Sequence, residues 1–413
     1  MRFFSCLLLT FQLISGFGQT QQVSVVTDST GHRLQVNGKD FFVVGMNWDY
    51  FPIGTNYEYS LWDEPDSIIQ LALDREMVLL KEMGVNAIRQ YTGVPSHWIQ
   101  YIYETYGIYT MLNHSFGRYG MDINGKWHSM TDYANPLVRK QLNDEVSVMA
   151  KEYHNTPGLL LFLLGNENNY GLFWEGAETE DFPEIQTNDE ERARNLYEAF
   201  DEATLIIKMI STSKPVAICN GDVQFIDLIK ASCRNVDIFG MNIYRGSSFG
   251  DAFEQVKKVL DKPVLLTEFG ADAFDAINLK ENQSQQATFL AQNWKEIYGN
   301  AAGLGKAGNS LGGFTFQFTD GWWKSGQTKN LTIHDEGASW SNGGYLFDYR
   351  EGYNNMNEEW FGICAKGETL SNGTYEVKPR KAYFILKKVH QLNPYGEGVN
   401  NLYIDEFVDS CNP

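Results

Sequence analysis

Two glutamates sit where acid chemistry would place them. Leu163-Leu164-Gly165-Asn166-Glu167 and Val264-Leu265-Leu266-Thr267-Glu268-Phe269-Gly270 are each an apolar run that reaches a carboxylate. A carboxylate at the end of a buried strand is destabilising unless it is paired or at work. Two of them, on strands that alternate with helices, read as acids facing one another across a cleft, the equipment for breaking a glycosidic bond. A retaining glycosidase uses one carboxylate to attack the anomeric carbon and another, about 5 Å away, to protonate the departing oxygen. The attacker must be ionised, which a cation such as Arg89 and a donor such as Tyr244 would favour. Its charge then raises the pKa of its neighbour, which stays protonated. A single glutamate at a strand end is ordinarily a cap or a salt-bridge partner, and the repetition is what favours chemistry here.

The elements that must carry these residues follow from periodicity. Residues 23–36 read as a hairpin, and a second turn at Asn37-Gly38 leads into an apolar strand over 41–46. Further strands are predicted at 85–91, 108–113, 159–164, 215–219, 236–243, 263–267 and 313–318. Helical patterns fall between them at 74–83, 98–106, 136–153, 195–211, 225–232, 252–260 and 283–298, with a closing helix at 380–391. Apolar strands joined by helices imply a parallel sheet covered on both faces, and eight such units favour a (β/α)8 TIM barrel preceded by a short N-terminal β-hairpin. The hairpin is expected to cap the barrel floor. Residues 19–413 are read as one domain, with 319–378 a long loop excursion after strand eight that builds the cleft rim.

In such a barrel the working residues stand at the C-terminal strand ends. Strand two ends in Arg89-Gln90-Tyr91, strand three in Asn113-His114, strand four in Asn166-Glu167 and strand five in Asn220. Strand six ends in Asn242-Ile243-Tyr244, strand seven in Glu268, and strand eight leads to Asp320-Gly321-Trp322-Trp323. His114 is carried as a structural or substrate-contacting side chain, not a base. Of Trp322 and Trp323, one is expected to face outward, because sugars stack on aromatic faces. Trp48, Tyr50, Phe51, Tyr57, Tyr59 and Trp62 after strand one form an aromatic loop for which sugar stacking is favoured over loop packing.

A formal charge of −19 over 413 residues argues against a nucleic-acid partner and against adhesion to anionic lipid. It is compatible with a neutral polysaccharide or oligosaccharide. Residues 1–18 read as a secretory signal peptide: Arg2, an apolar stretch over 3–14 too short to span a bilayer, then Gly16 and Gly18. A secreted or periplasmic protein without a membrane anchor is expected. Beyond Cys6, Cys219, Cys233, Cys364 and Cys411 form no metal-site spacing; Cys219 and Cys233 are either a pair or buried free thiols. No cofactor and no metal are called for: seven histidines include no His-x-His arrangement at strand one.

Gly165-Asn166-Glu167 with Thr267-Glu268-Phe269-Gly270 resembles the signature of clan A glycoside hydrolases, and within the clan the catalytic barrels of family 2. A more distant similarity, to the family 72 β-1,3-glucanosyltransferases, lies in Val236-Asp237-Ile238-Phe239-Gly240-Met241-Asn242-Ile243-Tyr244. The resemblance implies Glu167 as acid/base and Glu268 as nucleophile. It implies Asn166 bonding the sugar 2-hydroxyl, Arg89 and Tyr244 orienting and ionising Glu268, and Trp322 or Trp323 flooring the subsite. His114 matches a position that is often polar in these barrels. The expected activity is that of a retaining β-glycosidase, β-glucan-type substrates favoured. The alternatives are a β-glucanosyltransferase using the same glutamates and a non-catalytic carbohydrate-binding barrel. A metal-dependent barrel hydrolase is disfavoured.

Overall fold

The computed structural model describes residues 21–173 and 187–411, so the expected leader over 1–18 lies outside the described residues. Eight strands close into a barrel: β1 Val43–Asn47, β2 Ala87–Tyr91, β3 Tyr109–His114, β4 Leu159–Leu164, β5 Val216–Gly221, β6 Ile238–Asn242, β7 Val264–Gly270 and β8 Ser310–Phe316. Each pairs in parallel with its neighbours in sequence, and β8 returns to β1 through Gly312 opposite Val43 and Thr315 opposite Met46. Both faces of this sheet are covered, and β4, Leu-Leu-Leu-Phe-Leu-Leu, is buried throughout. Alternate side chains therefore feed two cores. Ala87, Met111, Leu161, Leu163, Ala217 and Leu265 fill the barrel, while Ile88, Leu112, Phe162 and Leu164 pack outward against helices.

The outer layer comprises α1 Asp66–Glu82, α2 Ser96–Tyr106, α3 Pro136–Tyr153, α4 Thr187–Ile210, α5 Ile226–Ser232, α6 Ala252–Val259, α7 Gln283–Gly299, α8 Lys381–Val389 and α9 Asn401–Cys411. Before β1, the antiparallel strands Val23–Asp28 and Gly31–Val36 form the expected hairpin. Its Val23, Leu34 and Val36 join the core that fills the barrel, closing the floor opposite the strand C-termini.

Several boundaries differ from the sequence pattern: α4 begins at Thr187 where 195 was expected, and α9 was not expected. Helix α1 starts at Asp66, directly after Pro65, one long turn-pair before the expected 74, because a proline ahead of the first turn starts a helix without losing a hydrogen bond. Strand β8 begins at Ser310, since Gly312 and Gly313 belong to the strand. Gly312 has φ +116°, and a Cβ there would stand 2.0 Å from the Val43 carbonyl oxygen. The segment after β8 is not all loop. It holds a short 3-10 turn, Glu358–Trp360, and an antiparallel pair, Cys364–Thr369 with Tyr375–Pro379.

Candidate active site

Inward-facing positions near the C-terminal strand ends converge on one guanidinium. Arg89 on β2 is buried and nearly saturated. Its Nε and Nη2 donate to Asn113 Oδ1 on β3 at 2.8 and 2.5 Å, and Nη2 donates to Asn166 Oδ1 at 2.9 Å. Its Nη1 donates to Glu268 Oε1 at 2.5 Å, with Asn47 Oδ1 of β1 at 3.5 Å. Charge-assisted bonds of this kind are the strong ones, and the planar fork fixes the orientation of what it holds.

Glu268 reaches Arg89 through an irregularity in β7. Met241 of β6 pairs with Leu266, but the next residue, Asn242, pairs with Glu268, so β7 carries one extra residue. Without that bulge, alternation would put Thr267 inside and Glu268 outside. With it, Thr267 Oγ1 donates to Asn242 Oδ1 at 2.8 Å while Glu268 also turns into the cleft. The Tyr244 hydroxyl donates to the other carboxylate oxygen, Oε2, at 3.1 Å. Burial and then the charge of Glu268 push the Tyr244 pKa well above the usual tyrosine value, so this phenol remains a donor.

Glu167 stands on a turn built to hold it. Gly165 has φ +84°, where a Cβ would meet Asn168 Oδ1 at 2.5 Å, and Glu167 itself has φ +56°. A non-glycine residue in that region needs surroundings that impose it. Here Asn168 supplies them: its Oδ1 accepts from Asn166 N at 2.7 Å, and its Nδ2 donates to Phe116 O and Tyr133 Oη at 2.9 and 2.8 Å. Asn169 clamps the far side through Gly221 N and O, and Glu167 N donates to Cys219 O at 3.0 Å. Burial first, and then the charge of Glu268, lift the Glu167 carboxyl from the ordinary 4.5 to about 7; Arg118 and Asn242 pull weakly the other way. One acid is clasped by a cation and a phenol. The other holds its proton to neutral pH.

Asn166 joins the two. Its Oδ1 accepts from Arg89 and from Asn242 Nδ2 at 3.0 Å, and its Nδ2 donates to Tyr119 Oη at 2.7 Å, leaving a second amide hydrogen for a ligand.

The structure thus brings together Arg89, Asn166, Glu167, Tyr244 and Glu268. It does not bring His114 to the cleft. His114 follows inward-facing Asn113, so it points outward, its Nδ1 accepting from Phe116 N at 3.1 Å and its Nε2 lying 3.4 Å from Glu145 on α3. Trp322 and Trp323 separate. Trp322 lies flat on His334 at 4.8 Å, which stacks on Trp360 at 3.8 Å, and the Arg380 guanidinium lies over the Trp360 ring at 5.5 Å. Trp323 instead meets Phe51 and Tyr57 edge-on or tilted. The aromatic loop after β1 divides likewise. Phe51 and Tyr57 line this wall, but Trp48 is buried with its indole on Glu76 at 2.6 Å, and Tyr50 stacks on Tyr375 at 4.9 Å.

Sequence reasoning passed over several residues. Asn47 was not read, and Asn113 and Asn242 were read as strand ends without a role; the three hold Arg89, Asn166 and Thr267, and their inward register on apolar strands was the available signal. Phe316, at the end of β8, forms an aromatic wall with Tyr244, Trp340 and Phe361. Cys219 lies inside the site with Sγ 3.1 Å from Asn242 Oδ1, whereas Cys233 ends α5; the pair left open is not bonded, and both are free and buried. Among the described residues no group of His, Cys, Asp and Glu side chains could hold a metal ion, and no helix is long and apolar enough to cross a membrane.

Comparison with known proteins agrees with the barrel fold. The model of the glycosyl hydrolases family 2 TIM barrel domain matches residues 28–294. A β-galactosidase of Lactococcus lactis subsp. lactis is 26% identical over 140 residues, which are 34% of this chain and 12% of that enzyme. Similar solved structures include a β-galacturonidase from Eisenbergiella tayi bound to galacturonate, with TM-score 0.54 and 16% identity, covering 91% of this chain and 55% of that one. Another is Bacteroides uniformis β-glucuronidase 2 covalently bound to a cyclophellitol-6-carboxylate aziridine, with TM-score 0.56 and 14% identity, covering 90% and 37%. The chain therefore matches 12% of that β-galactosidase and covers 55% and 37% of the two solved chains, well under two thirds of each. With well over half of its length matched by the family model, including both glutamate-bearing strands, the chain belongs to the glycosyl hydrolases of family 2 through its TIM barrel domain.

Proposed function

We propose that this chain is an exported retaining β-glycosidase that hydrolyses O-glycosidic bonds of a neutral polysaccharide or oligosaccharide, β-glucan-type substrates favoured. The observation that supports this most is the inequality of the two acids: Glu268 held by Arg89 and Tyr244, and Glu167 lifted to about 7 beside it. In the first half-reaction a Glu268 oxygen bonds to the anomeric carbon as the glycosidic C–O bond breaks, and Glu167 gives its proton to the departing oxygen. Esterification removes the charge of Glu268, so Glu167 ionises more readily and takes a proton from the water that attacks the same carbon. That attack releases the Glu268 carboxylate and restores the starting state. The free Nδ2 hydrogen of Asn166 would meet the sugar 2-hydroxyl.

The relatives above include a β-galactosidase and two glycuronidases, so neutral and acidic sugars both need testing. The experiment is a screen of β-1,3-, β-1,4- and β-1,6-linked glycans, mannans, galactans and uronides, with product lengths measured and Glu167→Gln and Glu268→Gln run in parallel. Turnover lost in both variants with the fold intact supports the reading, and unimpaired turnover in either contradicts it. Products longer than the substrate at high acceptor concentration would favour transglycosylation by the same pair. Sequencing the mature N-terminus of the protein recovered outside the cytoplasm tests the export claim at Gly18.

A further inference from the structure

We propose that Asp49 reads the glycone: its carboxylate accepts hydrogen bonds from the hydroxyls of a neutral sugar ring and rejects a ring that carries a carboxylate of its own. The inference rests on the glycosidase reading and narrows its substrate class.

Asp49 lies two residues beyond Asn47, just past the end of β1. Asn47 faces inward, its amide donating to Thr267 O at 3.1 Å and Phe314 O at 3.3 Å. Trp48 faces outward, with its indole on Glu76 of α1. Alternation returns Asp49 to the inward side, one step nearer the mouth than Asn47. The groups that act on it electrostatically are Arg89, Glu268 and Lys366, so it stands on the nucleophile side of the cleft. Burial lifts its pKa to about 6 against the pull of the two cations.

Neither cation is hydrogen-bonded to it. Arg89 spends its donors on Asn113, Asn166, Tyr91 and Glu268. Lys366 donates to Phe51 O at 2.7 Å and stands over the Tyr375 ring. Among the described residues no hydrogen bond reaches the Asp49 carboxylate. A half-buried carboxylate without a donor, set among Arg89, Glu268 and Lys366, is completed by a ligand that brings donors. Sugar hydroxyls do this. Asp49, Glu167 and Glu268 do not form a group that could hold a metal ion, so a shared cation is no substitute for the ring. A uronate placed here would face the carboxylates of Asp49 and Glu268, while the Arg89 guanidinium is already engaged. Repulsion of this kind is how a site discriminates against a near-isosteric competitor.

The test is calorimetric binding of sulfur-linked 4-nitrophenyl β-glycosides, which resist cleavage, to the full-length wild-type chain and to Asp49→Asn. Neutral gluco, galacto and manno ligands are each set against the matching uronide. The best neutral ligand should bind at least about tenfold more tightly than its uronide, and Asp49→Asn should narrow that ratio at least about tenfold. Asp49→Ser gives the same reading should the asparagine variant fail to fold. A uronide bound as tightly as the neutral sugar, or a ratio that neither variant changes, overturns the assignment, as does the absence of binding by every ligand. Oxygen-linked counterparts separate the two claims. Uronide preference with turnover overturns the role of Asp49 and leaves the glycosidase reading standing. Neutral preference without turnover of anything upholds Asp49 and overturns the hydrolase.

Discussion

Replacing Glu268 by glutamine should make Glu167 a stronger acid. Glu167 stands at about 7 against an ordinary 4.5, a rise equivalent to about 3 kcal/mol in favour of the protonated form. Burial is the larger cause and survives the substitution. The charge of Glu268 is the second cause and disappears. Arg89, which already pulls the Glu167 pKa down, then loses the anion that neutralises it. The carboxyl of Glu167 should therefore fall by about 1 to 2 pH units in Glu268→Gln, while remaining above the ordinary glutamate value. Carboxyl-directed carbon NMR on glutamate-labelled protein reads this directly, with the Glu167→Gln spectrum identifying the resonance. An unchanged or raised value would refute the electrostatic link between the two acids. It would leave burial alone to explain the proton on Glu167, and the change of role between half-reactions would lose its cause.

The same proton has a consequence for stability. The folded state holds it more tightly than the unfolded chain, so stability falls as pH rises from about 4.5 through about 7, and the loss is complete above that. Glu167→Gln should then be more stable than the wild type at pH 8 by up to about 3 kcal/mol, with the gap closing below pH 4.5 in thermal denaturation. His114→Ala should leave KM unchanged and cost about 1 kcal/mol of stability, because its ring serves Phe116 N and Glu145 and not the cleft; a raised KM would restore it to the substrate site. Arg380→Met should destabilise by about 3–5 kcal/mol in denaturant melts, since it strands the fully buried Asp320, which Arg380 holds through two bonds of 2.6 and 2.7 Å. A loss under about 1 kcal/mol would contradict the structural weight given to the Arg380–Asp320 pair.

The eight-strand order was legible because the strands announce themselves as apolar runs bounded by Gly, Pro and helical periodicity. The paired acids were legible because glutamate ends two of those runs. The identity of the inward neighbours was not so easily read, since period-two alternation has to be tracked through each strand. Asn113 and His114 are adjacent and both buried, yet only Asn113 belongs to the site. Glu268 shows the opposite difficulty: strict alternation would have sent it outward, and only the extra residue in β7 brings it in. Trp322 and Trp323 could not be separated by composition, because the partner that takes Trp322, His334, comes from a distant part of the excursion. The hairpin Cys364–Thr369 with Tyr375–Pro379 was legible but read as loop: Asn372-Gly373 is the same turn signal as Asn37-Gly38, and Tyr375-Glu376-Val377-Lys378 alternates, but both lie inside the 319–378 excursion. The missed Asp49 carries no motif of its own and becomes visible only when Asn47 and Trp48 fix the faces on either side.

The double-displacement account is tested most directly by trapping. A 2-deoxy-2-fluoro glycoside with a good leaving group, matched to the preferred sugar, should inactivate the protein at one label per chain. Peptide mass spectrometry should then find the sugar esterified to Glu268. A label on Glu167 or on any other side chain, or turnover that inverts the anomeric centre with no adduct formed, would contradict the assignment of nucleophile and proton donor made here.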